Sequence, residues 1–592
     1  MAKKTENKLS YLQMPLPESG KYSKMTKVAF GGLNNRYTID SGELSKEINI
    51  STNEYPYITP SNRKIEILSG YEKPISMFAF DDFIVVIYRD YHSIKVDYIT
   101  EDYEVCTGII KSDGATSKDE YPRSVVQFNV YDTPTDPLTG RFVKKLLIFP
   151  DKVSMDFRFE VLDNLPDNPE TGVVYCTEQS DGTKIYTVYS DDGGYEQSIH
   201  FPISYMSVLV KEFTPTEDKE TPPDTASHNY YYRNSETSDV YRWIDDTSDS
   251  ENSGWKVSIP PAMPDIKYAT VHLSRVFGVD DDRVYASGYN DYTNWNLDAV
   301  GEYNEANSWC SPSQSNTKAD GNFTGITTFQ NHVICFKRDF MHEIYNTKNP
   351  FRIQDVYAEG AIDNRTIQDV DGKLIFVSED DVKIYTGSNP RIIGYNLNMS
   401  QYSYAVSGTD NRHYYMYCED KSRNKHLYVY DTFTELWSEQ EIDDRVINFA
   451  HNQNGMYMLT KGGCIYKMDS NRYNHKWSFE TDVITNKTVD IKHIKKLQML
   501  VDIPEYVNNS FNVADDSGND AYMKVYILYD DEVFDENKSH LVYESCKFGR
   551  LPIRVKPRKT ANYGFKLHFE GAGYVKLYEL EIFVESGGDL YV

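Results

Sequence analysis

A repeat constrains what this chain can fold into more than any other feature. Four segments open on a turn residue, pass through an apolar strand, a polar turn and a second strand, and close on tyrosine. They read NHVICFKRDFMHEIY from Asn331, DGKLIFVSEDDVKIY from Asp371, NRHYYMYCEDKSRNKHLYVY from Asn411 and NGMYMLTKGGCIY from Asn454. Their starts lie 40, 40 and 43 residues apart, and their closing residues are Tyr345, Tyr385, Tyr430 and Tyr466. A unit of about 40 residues holding several short strands is the pattern of a propeller blade. A blade cannot bury both faces alone, so blades stack radially around a channel. The four tyrosines are expected on equivalent strands of successive blades.

The pattern extends backwards. SRVFGVDDDRVYASG from Ser274, DFIVVIYRDYHSIKVDYI from Asp82 and KKLLIFPDKVSMDFRFEV from Lys144 are strand pairs of the same shape, which brings the expectation to about seven blades. The period breaks between 163 and 260, where Pro-, Asp-, Ser- and Thr-rich stretches predict an insertion between blades. Beyond 485, strand-like runs such as HIKKLQMLVDI from His493 and YGFKLHFEG from Tyr563 predict a separate sandwich. The expected class is therefore all-β: a β-propeller of about seven blades with an inserted domain and a C-terminal β-sandwich. The expected division is an extended arm over 1–64 reaching a neighbouring subunit, first blades over 65–162, the insertion over 163–260, remaining blades over 261–484, and the sandwich over 485–592.

Composition narrows the function classes. The net charge is −28, with 62 Lys and Arg against 90 Asp and Glu, which opposes adhesion to a phosphate backbone. That balance serves solubility, or it serves a surface that DNA must pass without sticking. Seven scattered cysteines without a ligand spacing read as free thiols in a reducing compartment. The N-terminus has no apolar signal region, and no run approaches the roughly 18 apolar residues of a spanning helix.

Chemical handles are sparse. HExxH, GxSxG and GxxxxGK[ST] are absent, and the 13 histidines are dispersed. Carboxylate pairs such as Glu379-Asp380 carry no weight in so acidic a chain. Asp280-Asp281-Asp282 offers oxygen ligands of the kind calcium takes, but without the spaced set that should follow, and a solvated hairpin turn explains it. Tyr230, Tyr231, Tyr232, Tyr241, Trp243 and Trp255 make the insertion's own core, meet a protein partner, or stack on a glycan. No catalytic, cofactor-binding or metal-binding residue is assigned, and no cofactor is expected.

Three ordered segments carry a family resemblance. They are FGGLNNRYTIDSGELSKEINISTNEYPYITPSNRK from Phe30, SRVFGVDDDRVYASGYNDYTNWN from Ser274, and EGAIDNRTIQDVDGKLIFVSEDDVKIYTGSNPRIIG from Glu359. Together they resemble the tail hub, nozzle and packaged-DNA-stabilisation propellers of short-tailed phages, a group similar to tail tubular protein B. Asn62-Arg63-Lys64 after Pro60 departs from the Pro-Arg usual there. The resemblance implies a non-enzymatic virion protein, assembled in the host cytoplasm. It implies a homo-oligomeric ring below the portal and adaptor, contacting neighbouring tail proteins and letting genomic DNA slide through its lumen. Two other readings stay open: a receptor-binding tail protein contacting host-surface glycans, and a propeller-based depolymerase or glycosidase.

Overall fold

The computed structural model describes residues 22–27, 30–36, 43–132, 141–156, 158–170, 173–189, 194–226, 230–244, 253–260, 262–295, 307–313, 321–345, 347–357, 359–398, 402–485, 491–530, 532–557 and 562–586. Apart from three short 3-10 turns, their regular structure is β throughout.

Seven four-stranded antiparallel sheets form the propeller. Their innermost strands are Lys73–Phe80, Ser124–Asp132, Tyr268–His272, Gly325–Phe329, Gln368–Val370, Tyr404–Thr409 and Val446–Asn452. In the seventh blade the chain supplies three strands, ending at Ile465–Lys467, and the fourth is Ile65–Leu68 from the beginning of the sequence. The ring is thus closed by a strand that precedes blade one. Tyr345, Tyr385, Tyr430 and Tyr466 all lie on the third strand of their blades.

The second strands explain why the blades stack. Successive side chains on a strand point to opposite faces, and here the two faces belong to two different seams. Leu374 and Phe376 pack into the seam with blade four, and Ile375 and Val377 into the seam with blade six. Phe83, Val85 and Ile87 face blade two, whereas Ile84 and Val86 face blade seven. Tyrosine suits such a seam because its ring fills the apolar layer while its hydroxyl finds a partner at the edge. Tyr414 donates to the Thr366 carbonyl at 2.8 Å, and Tyr385 to Glu343 Oε1 at 2.6 Å. The polar residues that open the repeats occupy tight hairpins: Asn331, Asp371 and Asn411 have φ of 63°, 51° and 73°, conformations that Asn and Asp tolerate.

The insertion departs from the expected plan. It does not lie between blades as one domain. A four-stranded sheet running from Arg158–Val161 to Tyr195–Ser198 interrupts blade two, whose fourth strand is Ile203–Tyr205. This sheet shares the blade one–two core, to which Val174, Cys176 and Phe201 contribute fully buried side chains. A second sheet, Val210–Phe213, Tyr231–Asn234, Val240–Ile244 and Gly254–Val257, lies between blades two and three.

The ends of the chain are also arranged differently. Tyr22–Lys27 and Leu44–Ile48, expected in an irregular arm over 1–64, are strands of the sandwich, as is Lys476–Thr481, expected in the propeller. One sandwich sheet orders Tyr22–Lys27, Lys576–Ser586, Lys492–Ile503 and Gly549–Val555. The other orders Leu44–Ile48, Lys476–Thr481, Phe565–Ala572, Tyr522–Tyr529 and His540–Ser545. Phe30, Leu44 and Ile50 are buried in the core between them. Residues 1–21 of the expected arm lie outside the described residues.

The joint between propeller and sandwich is polar. Arg63 meets Asp516 with two hydrogen bonds of 2.6 and 2.9 Å, and Asn474 donates to the same carboxylate at 2.6 Å. Beside them His475 is half-buried, its two ring nitrogens shielded from solvent and not hydrogen-bonded. Burial pushes its pKa down to about 4, and the charges of Arg63 and Lys64 add to the effect.

Replacing residues 211–258 by a short Gly-Ser linker should leave thermal unfolding within about 2 °C of the parent, because the second sheet sits outside the blades. Excising 163–260 should abolish soluble expression, because blade two loses its fourth strand and part of its core. For His475, the unfolded side chain titrates near 6.5, so the unfolded state binds more protons between about pH 6.5 and 4. Wild-type stability should therefore fall across that window by about 3 kcal/mol from this group. Urea midpoints at pH 7 and pH 4.5 should differ less in His475→Phe than in the parent.

Candidate functional site

In a four-stranded antiparallel blade, the 2–3 hairpins and the blade-to-blade connections share one face, and the 1–2 and 3–4 turns share the other. The first face ends at the axial mouth, where the inner strands begin. Arg365, in the 3-10 turn Asn364–Thr366 before the inner strand of blade five, dominates that mouth. Its guanidinium meets Asp363 through bonds of 3.0 and 2.9 Å, donates to Tyr404 Oη of blade six at 3.2 Å, and donates to the Ile447 carbonyl of blade seven at 3.3 Å. Tyr404 Oη in turn donates to the Val446 carbonyl at 2.9 Å. Arg445 lies over the Tyr404 ring, 4.6 Å from its centroid, and grips Glu419 at 2.6 and 2.5 Å. The Arg445 guanidinium holds the Glu419 carboxyl below its ordinary pKa.

A glycosidase needs one carboxyl able to carry a proton beside one that is ionised. Asp363 and Glu419 are each held bidentately by an arginine, so both carboxylates are tied into ion pairs. Its chemistry is that of a staple across blades five, six and seven.

The opposite face carries a cleft of about 250 Å³ where the hairpins of blade one meet the first inserted sheet. Phe83, Tyr98, Phe159 and Val161 form its aromatic and aliphatic wall, with Phe83 and Tyr98 stacked at 4.2 Å. Asp82, Glu101, Asp102 and Glu104 rim it. Glu104 pairs with Lys184 of the inserted sheet at 3.1 Å, whereas the side chains of Asp82, Glu101 and Asp102 make no ion pair among the described residues.

The residues singled out from sequence have plainer positions. Asp280 closes the blade-three hairpin on itself, accepting from the backbone N–H of Asp282 and Arg283 at 2.7 and 2.6 Å and from Tyr285 Oη at 2.7 Å. Asp281 pairs with Lys267 at 2.5 Å, and Asp282 accepts from Ser313 Oγ at 2.9 Å. These carboxylates serve the turn, and no group of metal-ligating side chains occurs among the described residues. Glu379 and Asp380 pair with Arg338 and Lys383. Tyr231, Tyr232 and Tyr241 are buried in the second inserted sheet, where Trp255 packs edge-on against Tyr232 and Trp243. Those aromatics form the sheet's own small core. No two of the seven cysteines are joined in a disulfide.

Neither the staple nor the cleft was assigned from sequence. Arg365 stood inside the segment from Glu359 as Asp363-Asn364-Arg365, a local signal of a side-chain-capped turn. The cleft has no local signal, because its wall joins blade one to strands about 60 residues further on.

Arg365→Met should lower the unfolding free energy by about 2–3 kcal/mol, since it strips a partner from Asp363 and from the Tyr404 hydroxyl. Chemical denaturation measures this. Arg365→Lys should recover less than half, because an ammonium cannot bridge three blades bidentately.

No family model matches the chain, and no curated protein matches it. Among solved structures, BamB from Moraxella catarrhalis aligns over 70% of this chain and 98% of its own at 9% identity, with a TM-score of 0.32. The WD40 domain of Toxoplasma gondii coronin aligns over 95% of this chain and 88% of its own at 7% identity, with a TM-score of 0.22. The all-β propeller fold stands on the chain's own blade topology.

Proposed function

We propose that this chain is a structural protein of a phage tail, a nozzle or hub subunit that assembles into a homo-oligomeric ring and forms part of the DNA exit channel. The observation that carries the reading is the ordered resemblance of the segments from Phe30, Ser274 and Glu359 to that family. The first runs from the sandwich toward the closing strand of the propeller, the second covers the hairpin of blade three, and the third spans blade five with its Arg365 staple. The fixed ion pairs of the mouth suit a scaffold better than a hydrolase. The mutual packing of the aromatics in the second inserted sheet favours a structural role for them.

The staple also bears on where DNA would travel. One arginine side chain links blade five to blade seven across the mouth, and the major groove of B-DNA alone is about 12 Å wide. The propeller axis is therefore not the path in this reading, and the path is the lumen enclosed by several subunits. With a net charge of −28, a lumen lined by more Asp and Glu than Lys and Arg would limit adhesion to phosphate.

Mass photometry and negative-stain imaging of the purified full chain should show closed rings of one copy number, and antibody-gold labelling should mark one pole of the virion. A chain that stays monomeric at tens of micromolar and leaves virions unlabelled would refute the proposal.

A further inference from the structure

Resting on the ring reading, we propose that the cleft between blade one and the first inserted sheet receives residues 1–21 of a second copy of this chain. The cleft offers an aromatic wall and three carboxylates, Asp82, Glu101 and Asp102, that are left without an ion pair among the described residues. Such a groove suits a segment with cationic heads on apolar stems. Lysine stems lie along aromatic faces while their ammonium groups reach the rim.

The N-terminal segment is of this kind. MAKKTENKLSYLQMPLPESGK carries Lys3, Lys4, Lys8 and Lys21 against only Glu6 and Glu18, in a chain whose balance is −28. Leu9, Tyr11 and Leu12 follow Lys8 and supply the apolar part. The segment is tethered at a defined point, because Tyr22–Lys27 pairs with residues 580–585 at the edge of a sandwich sheet. Twenty-one residues in extended form span up to about 70 Å, enough to leave one subunit and reach another. A contact joining two different surfaces of identical subunits is heterologous, and heterologous contacts generate rings when the rotation closes. The cleft lies on the face of the 1–2 and 3–4 turns, away from the stapled mouth, so an arm seated there leaves the staple untouched.

Cross-linking of the full chain tests this. Two differently tagged chains are prepared in a Cys546→Ser background, one carrying Lys4→Cys and the other Asp102→Cys, then mixed and treated with a short bismaleimide. Neither chain holds both new thiols, so a cross-link between positions 4 and 102 joins two copies. A mixed-tag dimer band is expected. It should fall at least tenfold in 0.5 M salt, where screening is strong, and at least tenfold when Asp82→Lys and Glu101→Lys are added to the second chain. A band indifferent to both changes, or no mixed band, overturns the inference. A doubly substituted chain that links only within itself also overturns it, by placing the segment in its own cleft. Mass photometry of the same samples separates the two proposals: rings without the cross-link defeat this inference alone, and monomers alone defeat the ring reading with it.

Discussion

Each blade of this protein is apolar on both faces, and every other feature of the architecture follows from that. Along strands such as Lys373–Val377 and Phe83–Asp90, alternate side chains enter two different seams. A sheet of this kind has no face it can show to water, so an open stack of blades would end on an apolar surface at each side. Closing the stack into a ring removes both ends at once. Seven seam cores accordingly run around the molecule without a gap, and the sandwich has a separate core of its own.

The same constraint explains which parts were legible in the sequence. The repeat from Asn331 to Tyr466 caught the second and third strands, because these are the most deeply buried and are joined by short turns. Strands buried on both faces read as nearly continuous apolar runs, and His413–Glu419 is buried at every position. First and fourth strands are shorter or partly exposed, such as Arg391–Ile392, and leave little trace. The blade-two insertion was placed too late and too simply, since Ile203–Tyr205 is only three residues long and gives no hint that it completes a sheet begun at Ser124. The N-terminal strands were missed for a different reason: Leu44–Ile48 finds its partner at Ser478–Thr481, beyond the reach of any local period.

The candidate sites were legible in proportion to how local they are. The Asp280 turn is one continuous hairpin and was read as such. The arginine staple draws on three blades, and the cleft on a blade and an insertion, so only the folded chain assembles them. The electrostatics follow the same division. Acid is spread along the whole sequence, but what it does depends on whether folding brings a cation to it, as at Asp363 and Glu419, or, among the described residues, does not, as at Glu101 and Asp102.

The strand Ile65–Leu68 closes the ring against residues made roughly 400 positions later. A ribosome adds about 5–20 residues per second, so this strand leaves the tunnel tens of seconds before its partner exists. The sandwich strand Leu44–Ile48 waits as long. During translation the opening portion of the chain therefore has no sheet to join, while blade one already exposes the face meant for blade seven. Vectorial synthesis and native topology are at odds in this molecule. Its folding must be completed largely after release, through contacts of very long sequence separation, which are slow to form and prone to mispairing between nascent copies.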